Sequence, residues 1–221
     1  VSEVADWVER TLGWRPRDPL LFERALTHSS RAEAEDYERL EFLGDRVLGL
    51  AIAAWLYELF PEEPEGKLSR RLNDLVARET CAEVARALGI GAEVRLGKQA
   101  RDDGAADSDN VLGDVVEALL GALYLEAGHE RAAEFVQRAW AGRVTTQETA
   151  PKHPKSALQE WAAANDRKPP VYSVADRSGP HHAPRFTVEV EIPGLGKASA
   201  DGQSKQEAET EAAKALLEQL K

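Results

Sequence analysis

Five carboxylates stand where apolar packing is expected, at spacings that give them common faces. Glu38, Glu41 and Asp45 recur at intervals of three and four within "ERLEFLGDRVLGL", residues 38–50. At ~100° per residue they fall within a ~60° sector of one helix, and the same line runs on into Leu48 and Ile52. Asp114 and Glu117, an i,i+3 pair, interrupt the almost wholly apolar "VLGDVVEALLGALYLEAG", residues 111–128, where their stripe continues through Gly121 to Leu125. Arg39 and Arg46 are set ~100° or more away from the first stripe, so ion pairing is not expected to account for it. Acids at a helix start can also simply face solvent, favoured by the macrodipole. That alternative suits Glu38 better than Asp114 and Glu117, whose neighbours leave little solvated face.

Several carboxylates converging in a half-buried site must either take up protons or share a cation. Hard oxygen ligands of this kind suit Mg²⁺, which can polarise a phosphoryl oxygen and acidify a coordinated water. The chemistry expected is therefore metal-assisted hydrolysis of a phosphate ester. Other chemistries find less support. Cys81, in "RETCAEVARAL", is expected as a packed core thiol, the five His residues show no ligand spacing, and His28 reads as a structural hydrogen-bonding residue. There is no G-x-S-x-G and no Walker-type glycine loop.

The elements that must carry these residues fall into two regions. Helical apolar spacing recurs in 20–26, 40–60, 67–88, 111–127 and 131–140, with a turn at "PEEPEG" (61–66) and a polar, mobile loop at "RDDGAADSDN" (101–110), where Asp107, Ser108 or Asp109 could cap the next helix. Nothing before 145 alternates like a strand. Periodicity is lost across 141–155, within which a linker is placed at 145–152, between an all-helical domain at 1–144 and a second domain at 153–221. There, "SALQEWAAA" (156–164) predicts a helix, "VYSVAD" (171–176), "FTVEVEI" (186–192) and "KASADG" (197–202) predict strands, and Ser204 with Glu207 forms a capping box ahead of a last helix. The order α-β-β-β-α makes a small α+β domain.

Net charge is −11, and residues 151–221 carry 10 Lys/Arg against 10 Asp/Glu, so the whole acidic excess lies in 1–150. An overall acidic chain ordinarily argues against a nucleic-acid partner, yet a neutral second region with a few placed cations does not. No apolar run is long enough to span a membrane, and the acidic, amphipathic "VSEVADWVERTLGW" is not a signal peptide. A single Cys and these absences point to the cytoplasm. The chain has no Met, so Val1 is not expected to be the translated start.

"ERLEFLGDRVLGL" resembles the signature of the ribonuclease III family, and "EGKLSRRLNDLVARET" and "VLGDVVEALLGALYLEAG" look like that family's next two blocks, in order. "PKSALQEW", "GPHHAPRF" and "GQSKQEAETEAAKALL" look like a double-stranded-RNA-binding domain. The resemblance implies an all-α endonuclease domain followed by that α+β domain, working as a homodimer. It implies a Mg²⁺-dependent (Mn²⁺ substituting) endoribonuclease that cuts double-stranded RNA in the processing of rRNA and mRNA precursors. Its products would carry 5′-phosphate and 3′-hydroxyl ends with short 3′ overhangs. Carried over by motif, Glu41, Asp45, Asp114 and Glu117 are the metal-binding catalytic set, and Glu38 and Glu65 contact RNA near the scissile bond. Phe42 matches a residue that plugs into the partner subunit, although an ordinary core Phe fits the same pattern.

In the second domain, Gln159 and Glu160 are expected at 2′-hydroxyls of one minor groove, His182 at the next, and Lys205 with Lys214 at the phosphates between. Three positions depart from the family pattern. Tyr37 stands where Asn is common and Arg46 where a small residue is common, and neither is expected to touch the four carboxylates. Gln206 replaces a Lys, which would weaken RNA affinity and lower its salt dependence. Two rivals remain: a binding protein with an inactive nuclease domain, against which all four carboxylates speak, and a helical nucleotide phosphohydrolase, whose His-Asp metal pairs are missing.

Overall fold

The computed structural model describes residues 3–31, 35–146, 153–178 and 185–220. The chain divides into two compact units, 1–151 and 152–221, each taken by itself below.

The described regular structure of the first unit is helical apart from a one-residue bridge between Thr27 and Arg95. In order come α1 (Glu3–Leu12), α2 (Pro19–Ala25), α3 (Glu38–Leu59), α4 (Glu65–Leu75), α5 (Arg78–Ala87), α6 (Lys98–Asp102) and α7 (Asp109–Thr146). α7 is the axis of the unit. Val115, Val116, Leu119, Leu120 and Leu123 are all buried, and a helix apolar on every side belongs in a core. Against it lies α3, burying Leu40, Gly44, Val47, Leu48, Ala51, Ile52 and Leu56 at spacings of three and four. Their crossing is backbone on backbone. A Cβ on Gly44 would lie 1.7 Å from the Glu117 carbonyl oxygen, and one on Gly121 would lie 2.3 Å from that of Leu40.

Several boundaries differ from the sequence reading. The 67–88 stretch is two helices, α4 and α5, broken at Val76 and Ala77. Its apolar period continues across the break, but the freed carbonyls find partners: Trp140 Nε1 donates to Leu75 O at 2.8 Å and Thr80 Oγ1 to Asp74 O at 2.7 Å. The turn expected at 61–66 ends early, because Glu65 and Gly66 already belong to α4. Arg71, almost fully buried, holds that entry by a two-pronged bond to Glu63 (2.8 and 2.9 Å) and by stacking 3.9 Å from the Phe60 ring. The segments expected as separate helices at 111–127 and 131–140 are two helical stretches of α7, divided as expected at Gly128, whose non-helical φ of 82° and ψ of 178° suit glycine. The second stretch continues to Thr146, through residues whose periodicity had faded.

The supposed polar loop at 101–110 contains the end of α6 and a 3₁₀ turn, Ala105–Asp107. Arg86 fastens it, donating to Asp107 Oδ1 (2.8 Å), Asp107 O (2.7 Å) and Asp109 Oδ1 (2.6 Å). Ser108 takes the position ahead of α7, and its carbonyl accepts from the Leu112 N–H at 2.9 Å. Among the described residues no helix is long and apolar enough to cross a membrane.

The second unit follows the expected order: α8 (Pro154–Ala164), β1 (Val171–Ser178), β2 (Arg185–Ile192), β3 (Gly196–Gly202) and α9 (Lys205–Gln219). The strands form an antiparallel sheet in the order β1-β2-β3. Val190 and Ile192 turn inward into a cluster with Leu158, Ala162, Ala212, Ala213 and Leu216 of the two helices, and Val188 is buried on the same face, as the strict alternation of β2 requires. Ser204 Oγ accepts from the Glu207 N–H at 3.1 Å, while the Glu207 carboxylate accepts from the Gln203 N–H at 2.7 Å. The returning arm of the capping box thus lands one residue earlier than the usual pattern.

Candidate functional site

The four carboxylates at 41, 45, 114 and 117 line one cavity of about 250 Å³, together with Val76, Arg78 and Gly113. α3 brings Glu41 and Asp45 on successive turns, and α7 brings Asp114 and Glu117 in the same way. Gly44, between the first two, is the residue that touches the backbone of Glu117, so the point where the helices meet and the cavity are one feature. The break between α4 and α5 adds Arg78, which donates to Asn110 Oδ1 at 2.8 Å.

Two expectations are corrected here. Arg46 forms an ion pair with Asp45 and stacks 5.1 Å from the Phe42 ring; its long side chain curls back across the angle between the two Cα positions. Tyr37 is buried, and its hydroxyl donates to Asp114 Oδ2 at 3.1 Å. Both departures from the family pattern therefore touch a carboxylate. Cys81, fully buried as expected, places its Sγ 3.8 Å from Glu117 Oε1. His28 is structural: Nδ1 accepts from the Ser30 N–H at 3.0 Å, and the ring meets Tyr37 edge-on at 5.6 Å.

Crowding sets the electrostatics of the cavity. Burial, then the Asp114 charge, push the Glu41 carboxyl up. Burial, followed by Glu41 and Asp114, raises Glu117 to about 7 from an ordinary 4.5, with Cys81 and Arg78 opposing. Burial and the Asp114 charge push the Tyr37 hydroxyl far above its ordinary range, so it remains a donor. Burial and Glu117 likewise keep the Cys81 thiol protonated. Among the described residues, no three Asp, Glu, His or Cys side chains are grouped tightly enough to hold a metal ion as they stand. The set nevertheless fits a hard divalent cation. All four are oxygen donors on one cavity, and at least two have ionised forms that a cation would relieve.

The other expected site residues lie elsewhere. Glu38 is exposed and lines a separate cavity of about 750 Å³ with Arg24, Leu40, Phe42, Leu43 and Leu125, among others. Phe42 is 63% exposed, so it is not a core residue of this chain. Leu125, which continued the Asp114 stripe, is also exposed. Glu65 is exposed in the first turn of α4 and accepts from Ser69 Oγ at 2.6 Å. In the second unit, Gln159 and Lys205 share a cleft of about 580 Å³ with His153, Lys155, Ser156, Gln206 and Glu209. Glu209 pairs with Lys155 and lies 3.7 Å from Lys205. Glu160 and Lys214 are exposed on α8 and α9 but do not line that cleft. His182 lies outside the described residues.

A ribonuclease-III-like family model matches residues 18–143, and a double-stranded RNA binding motif matches 154–220. The chain is 64% identical to a Zymomonas mobilis protein named Ribonuclease 3, over 97% of this chain and 87% of that one.

This chain belongs to the ribonuclease III family.

It is accordingly an endoribonuclease. Two structures of the nuclease domain of Campylobacter jejuni ribonuclease III resemble its first unit. One has a TM-score of 0.61 at 32% identity, covering 64% of this chain and 97% of that one. The other, described for flexibility in a region involved in dimer formation, has a TM-score of 0.59 at 34% identity, covering 61% and 94%.

Relative to a ribonuclease III reading from motifs alone, the structure adds Tyr37, Arg78 and Cys81 around the carboxylates and Lys155 and Glu209 beside Lys205. Lys155 had a signal, since it lies four residues before Gln159 on one helix. Tyr37 and Cys81 had none, because their partners are 77 and 36 residues away. The raised Glu117 carboxyl carries a pH consequence, because a cation bound there would compete with its proton. Cleavage at limiting Mg²⁺ is expected to fall roughly tenfold per unit below about pH 7, measured as the Mg²⁺ concentration for half-maximal rate at pH 6 and pH 8. An identical half-maximal concentration at both would contradict it. In the metal-free chain the same shift weakens folding as pH rises from about 4.5 to about 7, where the folded carboxyl holds a proton the unfolded one has lost.

Proposed function

We propose that this ribonuclease III-family chain is a Mg²⁺-dependent homodimeric endoribonuclease, with Mn²⁺ able to substitute, that cuts double-stranded RNA to 5′-phosphate and 3′-hydroxyl ends with short 3′ overhangs. The observation that carries the reading is the convergence of Glu41, Asp45, Asp114 and Glu117, from two helices, on one cavity. A bound Mg²⁺ would neutralise these carboxylates, polarise a phosphoryl oxygen and acidify a coordinated water. The chain's own part is to orient four oxygen donors on a rigid backbone crossing and to keep Glu117 ready to exchange a proton for a cation. Glu38 and Glu65, exposed at the starts of α3 and α4, serve as RNA-side contacts. Phe42, exposed beside an open cavity that Leu125 also lines, is the contact to a second subunit.

In the second unit, Gln159, Glu160 and His182 meet the minor grooves of an A-form duplex, and Lys205 and Lys214 meet the phosphates between them. Gln206, in the cleft with Lys205, lowers affinity relative to a lysine there. The cellular role is maturation of rRNA and mRNA precursors in the cytoplasm. The test is a perfect RNA duplex incubated with Mg²⁺, with Mn²⁺ and with excess EDTA, at two salt concentrations, followed by end-group analysis. Cleavage should be absent in EDTA and should weaken steeply as salt rises. Undiminished cutting in EDTA, or 3′-phosphate products, would falsify the reading.

A further inference from the structure

Tyr37 occupies an unusual place between the two helices that carry the carboxylates. Its carbonyl accepts from the Leu40 N–H at 2.9 Å and the Glu41 N–H at 2.8 Å, so it starts α3; its own N–H donates to Thr27 O at 3.0 Å. The backbone is thereby fixed on both sides. The ring, 5% exposed, is held edge-on by His28 at 5.6 Å. From this mount the hydroxyl reaches α7 and donates to Asp114 Oδ2 at 3.1 Å.

A carboxylate on a solvated helix turns about its own bonds, and ordering it for a cation costs conformational entropy. A donor on one oxygen removes that freedom and leaves the other oxygen directed by the geometry of the first. Partners of this kind behind a metal-binding side chain commonly alter metal affinity by about 10–100-fold. Asp114 and Glu117 both border the cavity, but the donor facing Glu117 is the weak S–H of Cys81, 3.8 Å away. Asp114 is the member with a strong, rigidly mounted donor.

We infer that Tyr37 is a positioning residue that sets the Asp114 carboxylate for a divalent cation, linking the start of α3 to the metal-binding face of α7. The inference rests on the metal-site reading above. It separates two roles that Tyr37 combines. The backbone groups start the helix and depend little on the side chain; the hydroxyl serves Asp114.

The test is Mn²⁺ titration of the full chain without RNA, followed by electron paramagnetic resonance, for the parent, Tyr37→Phe and Asp114→Asn. Tyr37→Phe keeps the ring and its packing on His28. Its Mn²⁺ dissociation constant should rise roughly tenfold, with an unchanged melting temperature in EDTA. Duplex cleavage should need correspondingly more Mn²⁺ and recover towards the parental rate at saturation. A purely structural role would lower the melting temperature and leave metal affinity alone. Mn²⁺ affinity within twofold of the parent, with Asp114→Asn binding weakly, would overturn the inference and spare the metal site. Parental Mn²⁺ affinity in Asp114→Asn would overturn both. If Tyr37→Phe lowers the melting temperature, Tyr37→p-aminophenylalanine, which keeps the ring and restores an N–H donor at the place of the hydroxyl, should recover Mn²⁺ affinity relative to Tyr37→Phe; equal affinities in the two would count against the inference.

Discussion

Glu117→Gln should lower duplex cleavage by at least about 10³-fold, or roughly 4 kcal/mol at 1.4 kcal/mol per tenfold change, while duplex binding stays within about twofold. The asymmetry follows from where the residue sits. Gln keeps the shape of the side chain, so α7 and its packing survive, but one anionic donor is removed from a cavity that four carboxylates line. The RNA-facing residues proposed for the second unit are untouched. A second readout distinguishes loss of charge from damage. Glu117 is the carboxyl held at about 7 by burial and by Glu41 and Asp114, so its neutral replacement should relieve repulsion and raise the melting temperature in EDTA at pH 8. A Glu117→Gln variant that cuts at the parental rate would remove Glu117 from the catalytic set. One that melts early would show that the side chain serves mainly to hold the fold.

Gly44→Ala should be the most damaging single-methyl change in α3. Its Cβ would stand 1.7 Å from the Glu117 carbonyl oxygen, a backbone atom that cannot rotate aside, so the helices must part. Overpacking of this severity costs about 3 kcal/mol or more, which for a unit of this size corresponds to a fall of roughly 10 °C in melting temperature. Cleavage should fall with it, since parting the helices separates Glu41 and Asp45 from Asp114 and Glu117. Gly49 supplies the control from the same helix. A Cβ there meets nothing within 4 Å, so Gly49→Ala should be neutral or stabilising by up to about 1 kcal/mol, the helix-propensity difference. Equal melting temperatures for the two variants would mean that the crossing yields easily.

What could be read from the residues alone was whatever local period encodes. The acidic stripe at 41 and 45, the pair at 114 and 117, the alternation of β2 and the Ser204 cap all depend on spacings of two to four residues, and each is present in the structure. Breaks within a continuing period were hidden. The apolar pattern of 67–88 does not register Val76 and Ala77 leaving the helix, because Trp140, which takes up the Leu75 carbonyl, acts from 65 residues away, and Thr80 reaches the Asp74 carbonyl only once the chain has turned. Long-range polar contacts were hidden for the same reason. Angle around a helix sets Arg46 away from the carboxylates, a measure that ignores side-chain length, and Tyr37 lies before the first turn, 77 residues from its partner Asp114, with no spacing to link the two. Gly44 and Gly121 look like ordinary helix glycines until the two backbones are brought together. The exposure of Phe42, too, depends on which side of α3 faces α7, and a helix this apolar leaves that undecided.

The meeting of α3 and α7 through bare backbone bears on how the molecule can fail. Ordinary helix contacts have a layer of side chains that can loosen before the backbone moves; at Gly44 and Gly121 there is none. Amide hydrogens around Glu117 are then expected to exchange with water mainly when the whole unit opens. Loss of the cavity should accompany loss of the fold, so that molecules under thermal stress divide into competent and unfolded members rather than half-melted, indiscriminate cutters of RNA.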